Sequence, residues 1–213
     1  MLELFVSAFA TLFVVIDPPG CAPIFAGLTS GTSPAHRRAM AMRAVLVAAC
    51  ILFGFALFGE ALLHALGISL NAFKIAGGIM LFLIALEMVF EKRTERREDR
   101  AEKVKGQPEL DISIFPMAMP MIAGPGSIAS IMLLMSQNDG WERSGVVLAA
   151  LALILLLTLV ALLAAGPIMR VLGSRIEAVV SRLLGVLLGA LAVQFVIDGI
   201  RASLVAGRAV AGH

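Results

Sequence analysis

Six long stretches of the chain carry very little charge, and that pattern leaves few ways to fold. They cover residues 2–28, 38–66, 70–90, 112–135, 144–169 and 177–205. A bilayer core of about 30 Å is crossed by roughly 20 helical residues, each rising about 1.5 Å. The stretches are apolar on every face rather than alternating, which selects helices over the strands of a membrane barrel. Composition agrees, with 60% hydrophobic and 15% charged residues against about 45–50% and about 25% in soluble domains. A net charge of +2 gives no footing for nucleic acid. The sequence therefore predicts an all-α polytopic membrane protein with six transmembrane helices. The first stretch lacks a basic start and a small-residue cleavage site, so it reads as a retained span rather than a signal peptide.

Charge gathers in residues 91–105, EKRTERREDRAEKVK, which must lie in water. This run divides the chain into residues 1–90, a charged linker at 91–111, and residues 112–213. Lysine and arginine set orientation, because cytoplasmic loops carry their excess. Arg37, Arg38, Arg43, the basic residues of the run, Arg170 and Arg175 fall on one side; Arg143, Arg201 and Arg208 fall on the other. The linker is thus expected in the cytoplasm and both termini in the periplasm.

The two parts resemble each other. Pro19-Gly20 and Pro125-Gly126 are 106 residues apart, and Gly77 and Gly185 are 108 apart. A near-constant offset reads as two three-helix repeats, and an odd number of spans per repeat inverts the second. Inverted repeats are a mark of secondary transporters.

The first and fourth spans are broken. One holds Asp17-Pro18-Pro19-Gly20-Cys21, the other Ala123-Gly124-Pro125-Gly126-Ser127 after Pro116 and Pro120. Proline removes an N–H donor and clashes with the carbonyl four residues back. The carbonyls of Val14, Val15 and Met121 are thus expected to lose helical partners. Glycine beside proline tolerates the angles a break requires. Such backbone must face protein or a watery cavity, not lipid. A half-helix then starts after each break, and its first N–H groups at the positive dipole end suit an anion. The interrupted carbonyls suit a cation or ammonium. A small zwitterion, such as an amino acid, meets both.

The segments FVVIDPPGCAPIF (residues 13–25), FKIAGGIM (73–80), AMPMIAGPGSI (118–128) and AVQFVIDGI (192–200) together resemble the MarC family of six-span bacterial inner-membrane proteins. Its members include SnatA-type transporters of small neutral amino acids. The resemblance implies a bacterial inner-membrane transporter of that class, and the paired breaks in inverted repeats suggest that it works by alternating access. The family's first-break pattern looks like Asn-Pro-x-Gly, and Asp17 stands here in the Asn place.

Asp17, alone among the break residues, is ionisable and acidic. A charged aspartate within a span costs at least about 2.5–3.5 kcal/mol, so it must meet a cation or take up a proton. It could hold a solute ammonium, couple transport to protons, or cap the half-helix at Gly20. Ser127 and Ser130 share one face near the second break. Gln194 and Asp198, four apart, share a face that could line the cavity. Glu60, Glu87 and Asp198 read as interfacial charges, and Lys74 and Arg182 as snorkelling ones. Sodium or protons as coupling ions, and a homo-oligomer, stay open. No metal site, cofactor or enzyme motif such as HExxH or GxSxG is seen in the sequence. Two other readings use the same residues: a metal-ion exporter with Asp17 and Cys21 as ligands, and a thiol–disulfide carrier using Cys21 and Cys50.

Overall fold

The computed structural model describes residues 1–92, 95–99, 112–138 and 140–211, with the backbone alone at 166–178 and 205–211. The rest of the linker, residues 93–94 and 100–111, and His213 lie outside the described residues. Helices α1 (Leu2–Ile16) and α2 (Pro18–Leu28) form one 27-residue span, Leu2–Leu28. Helices α3 (Pro34–Ala65) and α4 (Leu70–Val89) follow, opened by Ser33 and Ser69, whose hydroxyls accept from His36 N–H and Ala72 N–H. Serine at this position satisfies one of the first N–H groups of a helix. Next come α5 (Ser113–Ile122), α6 (Pro125–Ser136), α7 (Trp141–Leu163) and α8 (Ala165–Ala211). Among the described residues five helices are long and apolar enough to cross a membrane, six if the bent pair α5–α6 counts as one span. The described residues form an all-α polytopic membrane protein. Its outer face carries exposed Leu46, Phe58, Leu156, Leu183 and Leu187, the surface that a lipid environment accepts.

The two breaks differ in build, although the sequence treats them as equivalent. The first is a single residue, Asp17, in the left-handed conformation (φ 58°, ψ 66°), ending α1 and starting α2. The second is a 51° bend preceded by a wide, irregular winding. In α5, Met117 N–H and Ala123 N–H reach back five residues, to the carbonyls of Ile112 and Ala118. Phe115 (φ −127°, ψ 125°) and Met119 (φ −128°, ψ 124°) are extended. Each precedes a proline, whose ring pushes its neighbour out of the helical region. Pro116 and Pro120, four apart, therefore disrupt two successive turns before Pro125 begins α6.

A second difference concerns the end of the chain. The sequence places a loop near residues 170–176, but the backbone there is helical and α8 runs for 47 residues. The fifth stretch stops at Leu163 instead of 169, and Ala164 (φ −91°, ψ 9°) ends α7. Pro167 falls in the first turn of α8, where proline costs no intrahelical hydrogen bond. The apolar part of α8 is Val179–Leu204.

Packing crosses between the two parts of the chain. The first broken span, α1–α2, packs on α7; the second, α5–α6, packs on α3; and α4 packs along α8. The α4–α8 crossing is tight. A Cβ at Gly78 would lie 2.8 Å from the Ala192 carbonyl oxygen and 2.7 Å from Val196. A Cβ at Gly185 would lie 3.1 Å from the Ala85 carbonyl oxygen and from Val89. The two contact sets exchange when shifted by about 107 residues along the chain, since 78, 85 and 89 map onto 185, 192 and 196. Gly77, the residue the sequence pairs with Gly185, instead faces Leu133 and Ala129 of α6. Because lipid supplies no hydrophobic drive between helices, close van der Waals approach at small residues is what holds such a crossing.

Candidate functional site

Asp17 performs two local tasks that few residue types combine. Its backbone occupies the left-handed region, where Asp and Asn are tolerated better than other non-glycine residues. Its side chain caps α2, accepting from Gly20 N–H through Oδ1 at 3.1 Å. The chain stays helical on both sides, with Asp17 N–H donating to Phe13 O at 2.9 Å and Cys21 N–H to Asp17 O at 3.1 Å.

The second carboxylate oxygen takes a cation. Arg97 Nη1 lies 2.9 Å from Asp17 Oδ2, and the two side chains are 7% and 6% exposed. Both charges are thus removed from water, which only good pairing and further hydrogen bonds can offset. Arg97 belongs to a short helical turn at 95–99, inside the run that the sequence reads as a solvated linker. Gly20 makes this reach feasible. A Cβ there would collide with the Asp17 carboxylate and lie 2.9 Å from Arg97 Nη1.

The pair borders a cavity of about 390 Å³, within the roughly 300–1,000 Å³ usual for ligand pockets. Its walls are Val15 beside the first break, Met80, Leu83, Ile84 and Glu87 of α4, Arg96 and Arg97, and Pro120, Met121 and Gly124 to Ser127 at the second break. Helix α6 starts at this wall. No side chain caps it at Gly124, and the first N–H groups of an α-helix have no partner within the helix. Glu87 is bonded to Arg96 at 2.7 Å. The space is therefore lined by two guanidinium groups, each already paired with a carboxylate, by the Glu87 carboxylate and by a helix start.

Of the residues singled out in the sequence, Gly124, Pro125, Gly126 and Ser127 line the cavity. Asp17 touches it through Arg97. Pro18, Gly20, Cys21 and Ala123 are buried, and Pro19 is half-buried, none of them on the cavity wall. Cys21 Sγ lies 3.6 Å from the Ile16 carbonyl oxygen. Asp17 and Cys21, the ligands of a metal-export reading, thus engage different partners. Among the described residues no group of three or more His, Cys, Asp or Glu side chains could hold a metal ion. Cys21, which is buried, and Cys50, which is exposed, are not joined by a disulfide. Gln194 and Asp198 are joined to each other at 2.8 Å on an exposed part of α8, away from the cavity. Ser130 is fully buried, and its hydroxyl has no hydrogen-bond partner among the described residues.

Sequence reasoning missed Arg96, Arg97 and Glu87. Glu87 reads as an interfacial charge because it lies near a span end, yet it lines the cavity and holds Arg96. Arg182, read as snorkelling, pairs with Glu91. One signal did point to Arg97. An aspartate in an apolar span needs a cation, the breaks contain none, and the nearest dense supply is the 91–105 run.

The model for "MarC family integral membrane protein" matches residues 2–204. A UPF0056 membrane protein of Methanocaldococcus jannaschii is 37% identical over 204 residues, covering 95% of this chain and 98% of its own length. The UPF0056 membrane protein YvbG of Bacillus subtilis is 33% identical, covering 94% and 96%. The UPF0056 inner membrane protein YhgN of Escherichia coli is 34% identical, covering 92% and 95%. No solved structure matches the chain.

Proposed function

The chain belongs to the MarC family of integral membrane proteins, and from that premise we propose that it transports a small neutral amino acid or a similar small polar solute. One observation carries this reading: a cavity of about 390 Å³ at the second break is lined by the guanidinium groups of Arg96 and Arg97, the carboxylate of Glu87 and the uncapped start of α6. A solute carboxylate is stabilised by guanidinium groups and by a helix N-terminus. A solute ammonium is stabilised by a carboxylate. A small zwitterion satisfies both, and the apolar wall of Met80, Leu83 and Ile84 leaves room for a short aliphatic side chain.

Alternating access is supported by the exchange of contacts between Gly78 and Gly185, which is what two inverted repeats, residues 1–90 and 112–213, lead one to expect. The lysine and arginine distribution supports periplasmic termini and a cytoplasmic linker, and the inner-membrane relative supports that location. Protons or sodium serve as coupling ions in this reading, and a homo-oligomer is compatible with it. The test is an uptake panel of radiolabelled amino acids in proteoliposomes, with and without pH and sodium gradients. Saturable uptake of glycine- or alanine-sized neutral amino acids is expected. Absence of accumulation or exchange for every one of them would remove the solute assignment.

A further inference from the structure

The walls of the cavity are of two kinds. Those from α4 and from the second break are, apart from Glu87 and Ser127, apolar packing and backbone. The wall from residues 95–99 is held by ions: Arg97 to Asp17 at 2.9 Å, and Arg96 to Glu87 at 2.7 Å. Packed apolar surfaces have no comparable partner in water, whereas the ions of a buried pair, once separated into water, regain the hydration they gave up, which offsets much of the attraction lost. A wall made of ion pairs can therefore part into water and close again. The turn at 95–99 also belongs to a run whose composition suits water, yet it places a guanidinium in a buried slot that Gly20 leaves open.

From these relations we infer that Asp17 and Arg97 form a latch, with the 95–99 turn closing the cavity toward the membrane face from which the charged run emerges. This deepens the transport reading and rests on it. When the pair is made, solute reaches Ser127 from the opposite face only. When the pair separates, the turn withdraws, both ions take up water, and the cavity opens toward the charged run. No covalent step is involved.

Side-specific thiol labelling tests the latch. The reporter is Ser127→Cys in a chain also carrying Cys21→Ala and Cys50→Ala, probed in oriented vesicles with a charged, membrane-impermeant methanethiosulfonate. Arg97→Gln is expected to raise the labelling rate about tenfold or more from the charged-run side and to leave the other side unchanged. Arg97→Lys keeps the charge but loses the planar guanidinium and its additional donors, and is expected to give a rise of about threefold on the same side. A rate that is unchanged in both variants, or that rises equally from both faces, overturns the latch, and Arg97→Lys decides alone if Arg97→Gln yields no monodisperse protein. Failure of the transport reading looks different: one-sided labelling persists while no amino acid is taken up by the parent chain.

Discussion

Arg97 and Asp17 are 80 residues apart in sequence and 2.9 Å apart in space, and this contact joins the charged run to the first break. Removing one partner strands the other charge in a buried site, which costs about 3–5 kcal/mol, while removing both leaves no orphan ion. Asp17→Ala and Arg97→Ala are each expected to lower thermal stability in detergent by that order. The double variant should lose less than the sum of the two, with about 1–3 kcal/mol of coupling. Additive losses in a double-mutant cycle would mean the contact carries no interaction energy.

Asp17→Asn separates the residue's two roles. Asparagine tolerates the left-handed backbone and caps a helix nearly as well as aspartate, but it cannot neutralise Arg97. The variant is expected to keep its helix content by circular dichroism and to retain binding of the α2 cap, while uptake of a neutral amino acid falls by about tenfold or more. Wild-type uptake from Asp17→Asn would show that the carboxylate charge is not needed.

Gly20→Ala puts a methyl group against the Asp17 carboxylate and 2.9 Å from Arg97 Nη1. It should expel the guanidinium, with a stability loss of about 1–3 kcal/mol from overpacking and a clear loss of uptake. Gly27→Ala, on the same helix with nothing within 4 Å of its added carbon, is the control. It is expected to be neutral or stabilising by up to about 1 kcal/mol. Equal behaviour of the two variants in thermal melts would contradict the slot.

Gly78→Ala and Gly185→Ala both wedge α4 from α8, with clashes against backbone carbonyls as well as side chains. Losses of about 1–3 kcal/mol each are expected, and similar ones, since the two sites make exchanged contacts. Chemical denaturation in mild detergent, compared with Gly54→Ala where nothing lies within 4 Å, measures this.

Ser130→Ala removes a buried hydroxyl that has no partner among the described residues. An unsatisfied buried polar group costs about 1–3 kcal/mol, so the variant should melt at or above the parent temperature. A lower melting temperature would show that the hydroxyl is engaged.

The helical membrane architecture is legible in the sequence because spans are selected by length and hydropathy alone. Both breaks are legible too, since proline and glycine occur together at each, whereas Pro23, which stands inside α2, leaves that helix continuous. Less legible is how each break is built. Nothing local distinguishes the single left-handed residue at Asp17 from the wide winding of α5, which depends on Pro116 and Pro120 acting together. The continuation of α8 through residues 170–176 escapes because basic residues mark a membrane boundary without ending a helix. Arg97 escapes for a deeper reason: its burial follows from a partner 80 residues away, and residues of the same type beside it read as solvated. Glu87 shares that fate, being identified by Arg96 rather than by its own position. The match of Gly77 with Gly185 is off by one, because sequence likeness cannot say which of two adjacent glycines faces α8.

The Gly78 and Gly185 contacts have a mechanical consequence. Two like notches, each seating the opposite helix and set at exchanged positions along the crossing, block sliding in either direction. A small rotation about the line between them leaves both seated. The α4–α8 pair is therefore suited to turn as an axle that keeps its own contacts while it rotates.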